Sequence, residues 1–235
     1  MESQFNRRTD RARFFLDIIY PSKCPFCGKA IRWDMLSCDS CFADIEWTDN
    51  SFCGICGHRH CICGEEEIPF TRFFSAMVYD ERVKDAFASF KYHANRNLGS
   101  ILCDMLVDKM LLTGDDVKYD MIIPVPMNPL KKHIRGYNQA ELMTRELAKR
   151  LDSVSDTSVI CKAYSSKFQH NLNKAERAVN AEKTFYPSGK RIDGKTVLLC
   201  DDITTTGSTM IKCGKLLKEL GASRVDAAAG AVTGH

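Results

Sequence analysis

From Phe73 onward the chain alternates short apolar runs with amphipathic stretches; the segment before it has almost no such periodicity. Ser75–Tyr79 reads as a strand, and Val83, Phe87 and Phe90 share one helical face within Arg82–Phe90. A further helix is predicted over about Leu98–Leu112. Met121–Pro126 is a short apolar strand closed by prolines, which remove backbone donors. Asn138–Leu151 sets Leu142, Leu147, Ala148 and Leu151 at helical spacing, with Lys149 and Arg150 in the last turn. Val159–Ala163 is a predicted strand, and the polar segment Ser165–Asn180 is expected to be a mobile loop or a short helix. Thr196–Cys200 follows as a strand, Thr209–Leu220 as a helix stopped by Gly221, and Val225–Val232 as a last, alanine-rich strand. Strands alternating with helices predict an α/β domain over residues 71–235, with a mostly parallel sheet flanked by helices. Residues 1–70 are expected to form a separate small module, entered through a short amphipathic helix that leads into Pro21.

Composition adds limits. The 235 residues are 44% apolar, enough for a proper core, and the net charge of +3 does not imply nucleic-acid binding by bulk electrostatics. Arg7, Arg8, Arg11, Arg13 and Lys23 form a local basic group that could touch nucleic acid. No apolar run is long enough for a transmembrane helix, and the N-terminus lacks the apolar core of a secretory signal, so a cytoplasmic location is expected.

Eight of the twelve cysteines lie between Cys24 and Cys63. Cys24-x2-Cys27 and Cys38-x2-Cys41 are separated by ten residues, followed by Cys53-x2-Cys56 and Cys61-x-Cys63. Two such hairpins can supply four thiolates to one structural zinc ion, and Gly28 and Gly57 suit the tight knuckle turns. Cys24, Cys27, Cys38 and Cys41 are therefore expected to hold one zinc. Cys53, Cys56, Cys61 and Cys63 are the candidates for a second, with His58 or His60 as substitutes for one thiolate. Spacing leaves crossed pairing, an iron–sulfur cluster and a reduced metal-free loop as alternatives. The region is too poor in apolar residues to fold by burial alone, so metal is expected to hold it together. The isolated Cys103, Cys161, Cys200 and Cys213 read as packing residues.

The stretch Thr196–Thr209 carries the chemistry. An apolar strand delivers the adjacent carboxylates Asp201 and Asp202, then a loop of Thr204, Thr205, Thr206, Gly207, Ser208 and Thr209 opens a helix. Helix-end and turn amides attract phosphate, and carboxylates accept hydrogen bonds from vicinal ribose hydroxyls. A competing phosphate signature, G-x4-G-K-T, occurs at Gly189–Thr196. A phosphate-wrapping loop of that kind must follow a strand and open a helix; this one precedes a strand, so it is read as accidental. A G-x-G-x-x-G dinucleotide fingerprint is absent.

The Asp201–Thr209 segment resembles the phosphoribosyl pyrophosphate (PRPP) signature of type I phosphoribosyltransferases. Phe90–Lys91–Tyr92, Ile123–Pro126, Arg135–Ala140, Gln169, Arg177, Asn180 and the cysteine-rich N-terminus extend the likeness to the ComF family of competence-associated phosphoribosyltransferase-like proteins, in the family's order. The resemblance implies a type I phosphoribosyltransferase fold preceded by a zinc ribbon. It implies that Asp201 and Asp202 hold the ribose hydroxyls, that Thr204–Thr209 wrap the 5-phosphate, and that the backbone around Met127 lies at the pyrophosphate. Arg135 and Arg177 become candidates to clamp pyrophosphate oxygens, with Lys91 beside them, and Gln169 would belong to a flap that closes over the reaction. Lys162 stands where the family pattern has arginine. Mg²⁺ would accompany PRPP, held mainly by the ligand's own oxygens and water. The implied role is in DNA uptake, as a transferase whose acceptor no residue here defines. The alternative is a non-catalytic PRPP-sensing adaptor that docks single-stranded DNA or an uptake helicase through its ribbon, with peripheral association at the uptake machinery.

Overall fold

The computed structural model describes residues 21–93, 96–163 and 184–234. A short helix, α1 (Asp39–Asp44), lies within the cysteine region. The α/β part then runs β1 (Phe73–Val78), α2 (Glu81–His93), α3 (Arg96–Leu112), β2 (Met121–Pro124), α4 (Pro129–Arg135), α5 (Gln139–Arg150), β3 (Val154–Ser155), β4 (Ile160–Lys162), β5 (Phe185–Pro187), β6 (Thr196–Thr204), α6 (Ser208–Glu219) and β7 (Arg224–Val232). Five strands form one parallel sheet in the order β1-β7-β6-β2-β3.

Both faces of a parallel sheet are covered, so its strands read as unbroken apolar runs rather than alternating ones. β1 is buried at every position and β7 at all but its first. Along β6 the side chains still alternate between two cores. Leu198 and Cys200 join Phe87, Leu102, Leu106, Met143 and Leu147 from α2, α3 and α5. Val197 and Leu199 join Met210, Ile211 and Leu217 from α6. The small side chains Ala227–Ala229 let the flanking layers approach the central strands closely.

The cysteine region does not stand apart from this sheet. Its segment at Glu46–Thr48 pairs antiparallel with the free edge of β1: Val78 N–H donates to the Glu46 carbonyl at 2.8 Å, and Thr48 N–H to that of Ala76 at 3.2 Å. That pairing covers an edge that would otherwise be open. Leu36 and Ile45 are buried in the α2/α3/α5 core, while Phe52 and Phe70 are buried in the α6 core. The few apolar residues of this region are thus divided between the two sides of the sheet.

The predicted helices and strands of the α/β part are present, with three differences. β6 continues to Thr204 instead of ending at Cys200, because β7 pairs with it through Asp201↔Ala229, Ile203↔Ala231 and Thr204↔Val232. The strand predicted at Val159–Ala163 is the shorter β4, which pairs antiparallel with β5 outside the main sheet. The short α4, β3 and β5 were not predicted at all; α4 buries no residue and so leaves no apolar periodicity. The predicted N-terminal helix, the basic residues Arg7, Arg8, Arg11 and Arg13, and the whole Ser165–Asn180 segment lie outside the described residues. Among those described, no helix is long and apolar enough to cross a membrane.

Chain order and sheet order together locate one special point. The connection from β2 leads to β3 on one side, and that from β6 leads to β7 on the other, while β2 and β6 are themselves neighbours. Open α/β sheets bind ligands at such a reversal, outside the carboxyl ends of the strands. Gly230 on β7 backs this point. A Cβ there would stand 2.7 Å from the Asp202 carbonyl oxygen and 2.9 Å from Leu102 Cδ1. Gly230→Ala is expected to cost about 1–3 kcal/mol, read from the urea midpoint, because backbone and core must both shift to admit one methyl group.

Candidate functional site

β6 carries Asp201 and Asp202 to the switch point while still paired with β7, so backbone hydrogen bonds fix where the two carboxyls start. Asp201 continues the face of Val197 and Leu199 toward α6, where its charge is felt by Cys213. Both acids are half-buried. Burial pushes the Asp201 carboxyl well above the usual carboxylate range and the neighbouring Asp202 adds to the rise; the Asp202 amide, donating to Asp201 Oδ1 at 2.9 Å, and the Lys162 ammonium partly oppose it. Lys162 itself lies 5.0 Å over the Phe185 ring. Among the described residues no cation is hydrogen-bonded to either carboxylate.

The loop beyond is a helix entry without a cap. Gly207 occupies the N-cap of α6 in the left-handed conformation, φ 70°, and no side chain accepts from the first-turn amides. Thr205, Thr206 and Ser208 are exposed and Thr209 half-exposed, with the Thr206 and Ser208 hydroxyls 2.9 Å apart. Thr204 is buried, its hydroxyl donates to Met210 Sδ at 3.0 Å and its carbonyl accepts from Thr233 N–H at 3.2 Å, so it is committed to the β7 pairing and to α6. Uncapped amides and the positive end of the helix dipole attract an anion.

The loop after β2 lies alongside. Val125 N–H donates to the Cys200 carbonyl at 2.8 Å, one residue before Asp201. Asn138 caps α5 by accepting from Ala140 N–H at 3.1 Å, and its Nδ2 donates to the Val125 carbonyl at 3.0 Å. Gln139, fully buried, accepts from Arg135 Nη1 at 2.8 Å and donates to the Lys91 carbonyl at 3.2 Å. Arg135 Nη1 also lies 3.9 Å from Met127 Sδ, and Tyr137 Oη donates to the Phe90 carbonyl at 2.8 Å. Met127, Arg135 and the end of α2 at Lys91 are thereby linked to the loop that adjoins the paired acids. Asn138 and Gln139 stand in the sequence motif quoted above, yet their positioning role was not read from it. A polar residue just before the α5 periodicity is the signal that could have shown Asn138 as a cap. Gln169 and Arg177 lie outside the described residues.

The Gly189–Thr196 match sits elsewhere. No helix begins at Thr196, which opens β6. Lys195 pairs with Asp120 at 3.1 Å, and Thr196 N–H donates to the same carboxylate at 2.8 Å, at the amino end of the sheet.

The cysteines form two clusters in sequential order, Cys24/Cys27/Cys38/Cys41 and Cys53/Cys56/Cys61/Cys63. Crossed pairing is not found, and neither His58 nor His60 replaces a thiol. Sulfur separations include 3.7 Å for Cys27–Cys38, 3.5 Å for Cys53–Cys61 and 4.0 Å for Cys56–Cys61. Tetrahedral zinc with its usual bond to sulfur sets sulfurs about 3.8 Å apart, so both sites fit the ion. One thiol in each cluster is poised to ionise. The Ser40 hydroxyl and the Cys41 amide bring Cys38 down to about 6. At Cys53, burial works upward but the amides of Cys56 and Ile55 help bring it to about 7. Cys103, Cys200 and Cys213 are fully buried among apolar side chains, while Cys161 is half-buried on β4.

Two family models match the chain: a phosphoribosyl transferase domain over residues 137–231 and a double zinc ribbon domain over residues 15–70. Competence protein F of Haemophilus influenzae is 26% identical over 231 residues, 96% of each chain. DNA utilization protein YhgH of Escherichia coli K12 is 26% identical over 213 residues, 86% of each. Competence protein ComFC of Bacillus subtilis is 24% identical over 203 residues, 81% of each. A purine phosphoribosyltransferase of Pyrococcus horikoshii aligns with 56% of this chain and 71% of its own, at a TM-score of 0.37 and 19% identity. The parallel sheet with flanking helices, the matched transferase domain and the paired cysteine clusters together make the expected fold, a type I phosphoribosyltransferase fold preceded by a zinc ribbon.

Two predictions follow from this geometry. Metal analysis of protein purified under reducing conditions will give two zinc equivalents per chain, and serine at both Cys53 and Cys56 will remove one of them. Asp201→Asn will raise the melting temperature of the ligand-free protein at neutral pH. A carboxyl raised on folding contributes stability that is present below its unfolded value near 3.8 and is lost as pH rises through its folded value. The advantage of the amide therefore widens from about pH 4 upward and closes below it; melts at a series of pH values that show a constant difference would refute the assignment.

Proposed function

We propose that this chain, which belongs to the ComF family of phosphoribosyltransferase-like proteins with an N-terminal zinc ribbon, binds PRPP at the carboxyl end of β6 and acts in DNA uptake on the cytoplasmic side. One observation carries the reading: two adjacent carboxylates at the sheet's switch point, with no cation bonded to them among the described residues, lead directly into a hydroxyl-lined helix start whose N-cap is glycine. Asp201 and Asp202 accept hydrogen bonds from the vicinal ribose hydroxyls. The amides of Thr205–Thr209, with the exposed hydroxyls of Thr205, Thr206 and Ser208, hold the 5-phosphate on the α6 dipole, while Thr204, taken up by β7, anchors the loop. The backbone at Met127 and the guanidinium of Arg135, steadied by Gln139, face the pyrophosphate, with Lys91 nearby. Gln169 and Arg177 are assigned to the same end of the ligand on the family resemblance alone.

Mg²⁺ on the pyrophosphate oxygens would neutralise the charge that develops as that group departs. The chain's own part is to fix the ribose by two acids and the phosphate by a helix end. Arg135 then stabilises the leaving oxygens as positive charge grows on the ribosyl carbon. Reduced thiolate clusters accord with a cytoplasmic setting.

The names of the relatives, competence and DNA utilization proteins, favour a second reading as well. In it the PRPP site acts as a sensor, and the ribbon docks single-stranded DNA or a helicase partner. Pyrophosphate release from Mg²⁺–PRPP across a panel of nitrogenous bases separates the two: turnover with any base supports transfer, and tight binding with no release supports the sensor.

Calorimetric titration with Mg²⁺–PRPP tests what both share. Each charged acceptor is worth about 1.5–3 kcal/mol, so Asp201→Asn/Asp202→Asn should weaken binding by about 100-fold or more, and Arg135→Ala by about tenfold. Undiminished affinity in the double variant would remove the proposed site.

A further inference from the structure

The second cysteine cluster is fastened against the phosphate loop. His58 follows Cys56 by two residues, and its Nε2 is fully enclosed without a hydrogen-bond partner. That nitrogen lies 3.0 Å from where a Cβ would stand on Gly207, the residue at the start of α6. A buried ring nitrogen with nothing to bond is costly. Four helix amides without a side-chain cap are a separate departure from ordinary satisfaction. The two meet at Gly207.

His58 is free for such a role because four sulfurs complete the cluster without it. The knuckle uses only its backbone: its carbonyl accepts from Cys53 N–H at 2.9 Å, and its amide bonds the Cys56 sulfur. The knuckle is in turn fixed to the sheet. Phe73 N–H donates to the Gly54 carbonyl at 2.7 Å, and the Phe73 ring fills the space where Gly57, at φ 76°, has no side chain; a Cβ there would stand 2.4 Å from the ring. The ring of His58 is thus set by the folded knuckle so close to Gly207 that a Cβ there would need the ring to give by a few tenths of an ångström.

We propose that the second zinc knuckle is part of the phosphate site: His58 Nε2–H donates to an oxygen of the 5-phosphate held at the start of α6, and the metal-bound cluster sets the ring in place. This rests on the PRPP reading above. It makes His58 a ligand-binding residue contributed by the ribbon, and it restricts the effect to one end of the ligand. The pyrophosphate end, at Met127 and Arg135, lies on the β2 side.

The test uses the full-length, zinc-loaded protein. Ribose 5-phosphate and Mg²⁺–pyrophosphate are titrated separately by calorimetry into wild type, His58→Ala, His58→Gln and Asp201→Asn/Asp202→Asn, with zinc content measured for each. His58→Ala should weaken ribose 5-phosphate about 10- to 100-fold and leave pyrophosphate unchanged. His58→Gln, whose amide N–H reaches a similar position, should recover most of the loss. If the alanine variant sheds zinc, His58→Gln against His58→Met, of similar bulk and without a donor, carries the same comparison. Unchanged ribose 5-phosphate affinity, or equal weakening of both ligands, would show a packing residue and overturn the inference while the PRPP site stands. Absence of ribose 5-phosphate binding in wild type, or binding undiminished in the aspartate variant, overturns the PRPP reading and this inference with it.

Discussion

Pairing of β6 with β7 beyond Cys200 fixes Asp201 and Asp202 by backbone hydrogen bonds, and the other features of the site are arranged around those fixed acids. Two adjacent carboxylates on a strand half-sunk in the sheet repel each other and lose hydration, which is why the Asp201 carboxyl is raised. The contrast lies at the other end of the same sheet. Asp226 is fully buried, yet Arg224 Nε donates to both its oxygens at 3.1 Å, Tyr119 Oη donates at 2.8 Å and the Arg72 amide at 3.1 Å. A buried acid surrounded by donors belongs to the architecture. A pair of acids that receives one backbone amide and, among the described residues, no side-chain donor, beside an uncapped helix, is an arrangement that a ligand with hydroxyls and phosphate would complete.

The cysteine region answers a related problem by a different means. It is poor in apolar residues, and those it has are divided, Leu36 and Ile45 to one face of the sheet and Phe52 and Phe70 to the other. A segment spread over two cores and one strand edge cannot form a core of its own. Two tetrahedral thiolate sites supply the cohesion that burial does not, since metal binding in such modules is also folding free energy. The consequence for the site is positional. Because Glu46–Thr48 is strand-paired to β1 and Gly54 is bonded to Phe73, the second knuckle is held against the sheet, and His58 comes to lie at Gly207.

Much of this was legible in the sequence, and the reasons differ by element. Val197–Cys200 followed by two acids, hydroxyl residues and a helix pattern could be read because each part has a strong local signature. The first four cysteines could be read because their spacing leaves few other uses. The extension of β6 through Asp201 and Asp202 could not: aspartate is a poor strand former, and only the register with β7, some thirty residues later in the chain, overrides that preference. α4 was hidden for the opposite reason, since a helix that buries nothing has no apolar period; its Asn128 cap, accepting from Leu130 N–H at 3.0 Å, was the one local cue. The ties of Gln139 to Arg135 and Lys91, and the seat of His58 against Gly207, could not be read because both are contacts made across the fold.

The two phosphate-like signatures show what sheet direction adds to composition. Gly189–Thr196 and Asp201–Thr209 flank one strand, and both contain glycine, hydroxyl groups and charge. In a parallel sheet all carboxyl ends, and the helix N-termini that follow them, point the same way, so anion-attracting dipoles gather at one edge only. Lys195 and Thr196 lie at the amino edge, where their groups are taken up by Asp120. Asp201–Thr209 lies at the carboxyl edge, where β6 opens α6 and the loop after β2 closes in beside it. The same residue types at the wrong end of the strand have a strand to begin and an ion pair to make. At the right end they have two acids that no described cation bonds, and an open helix start.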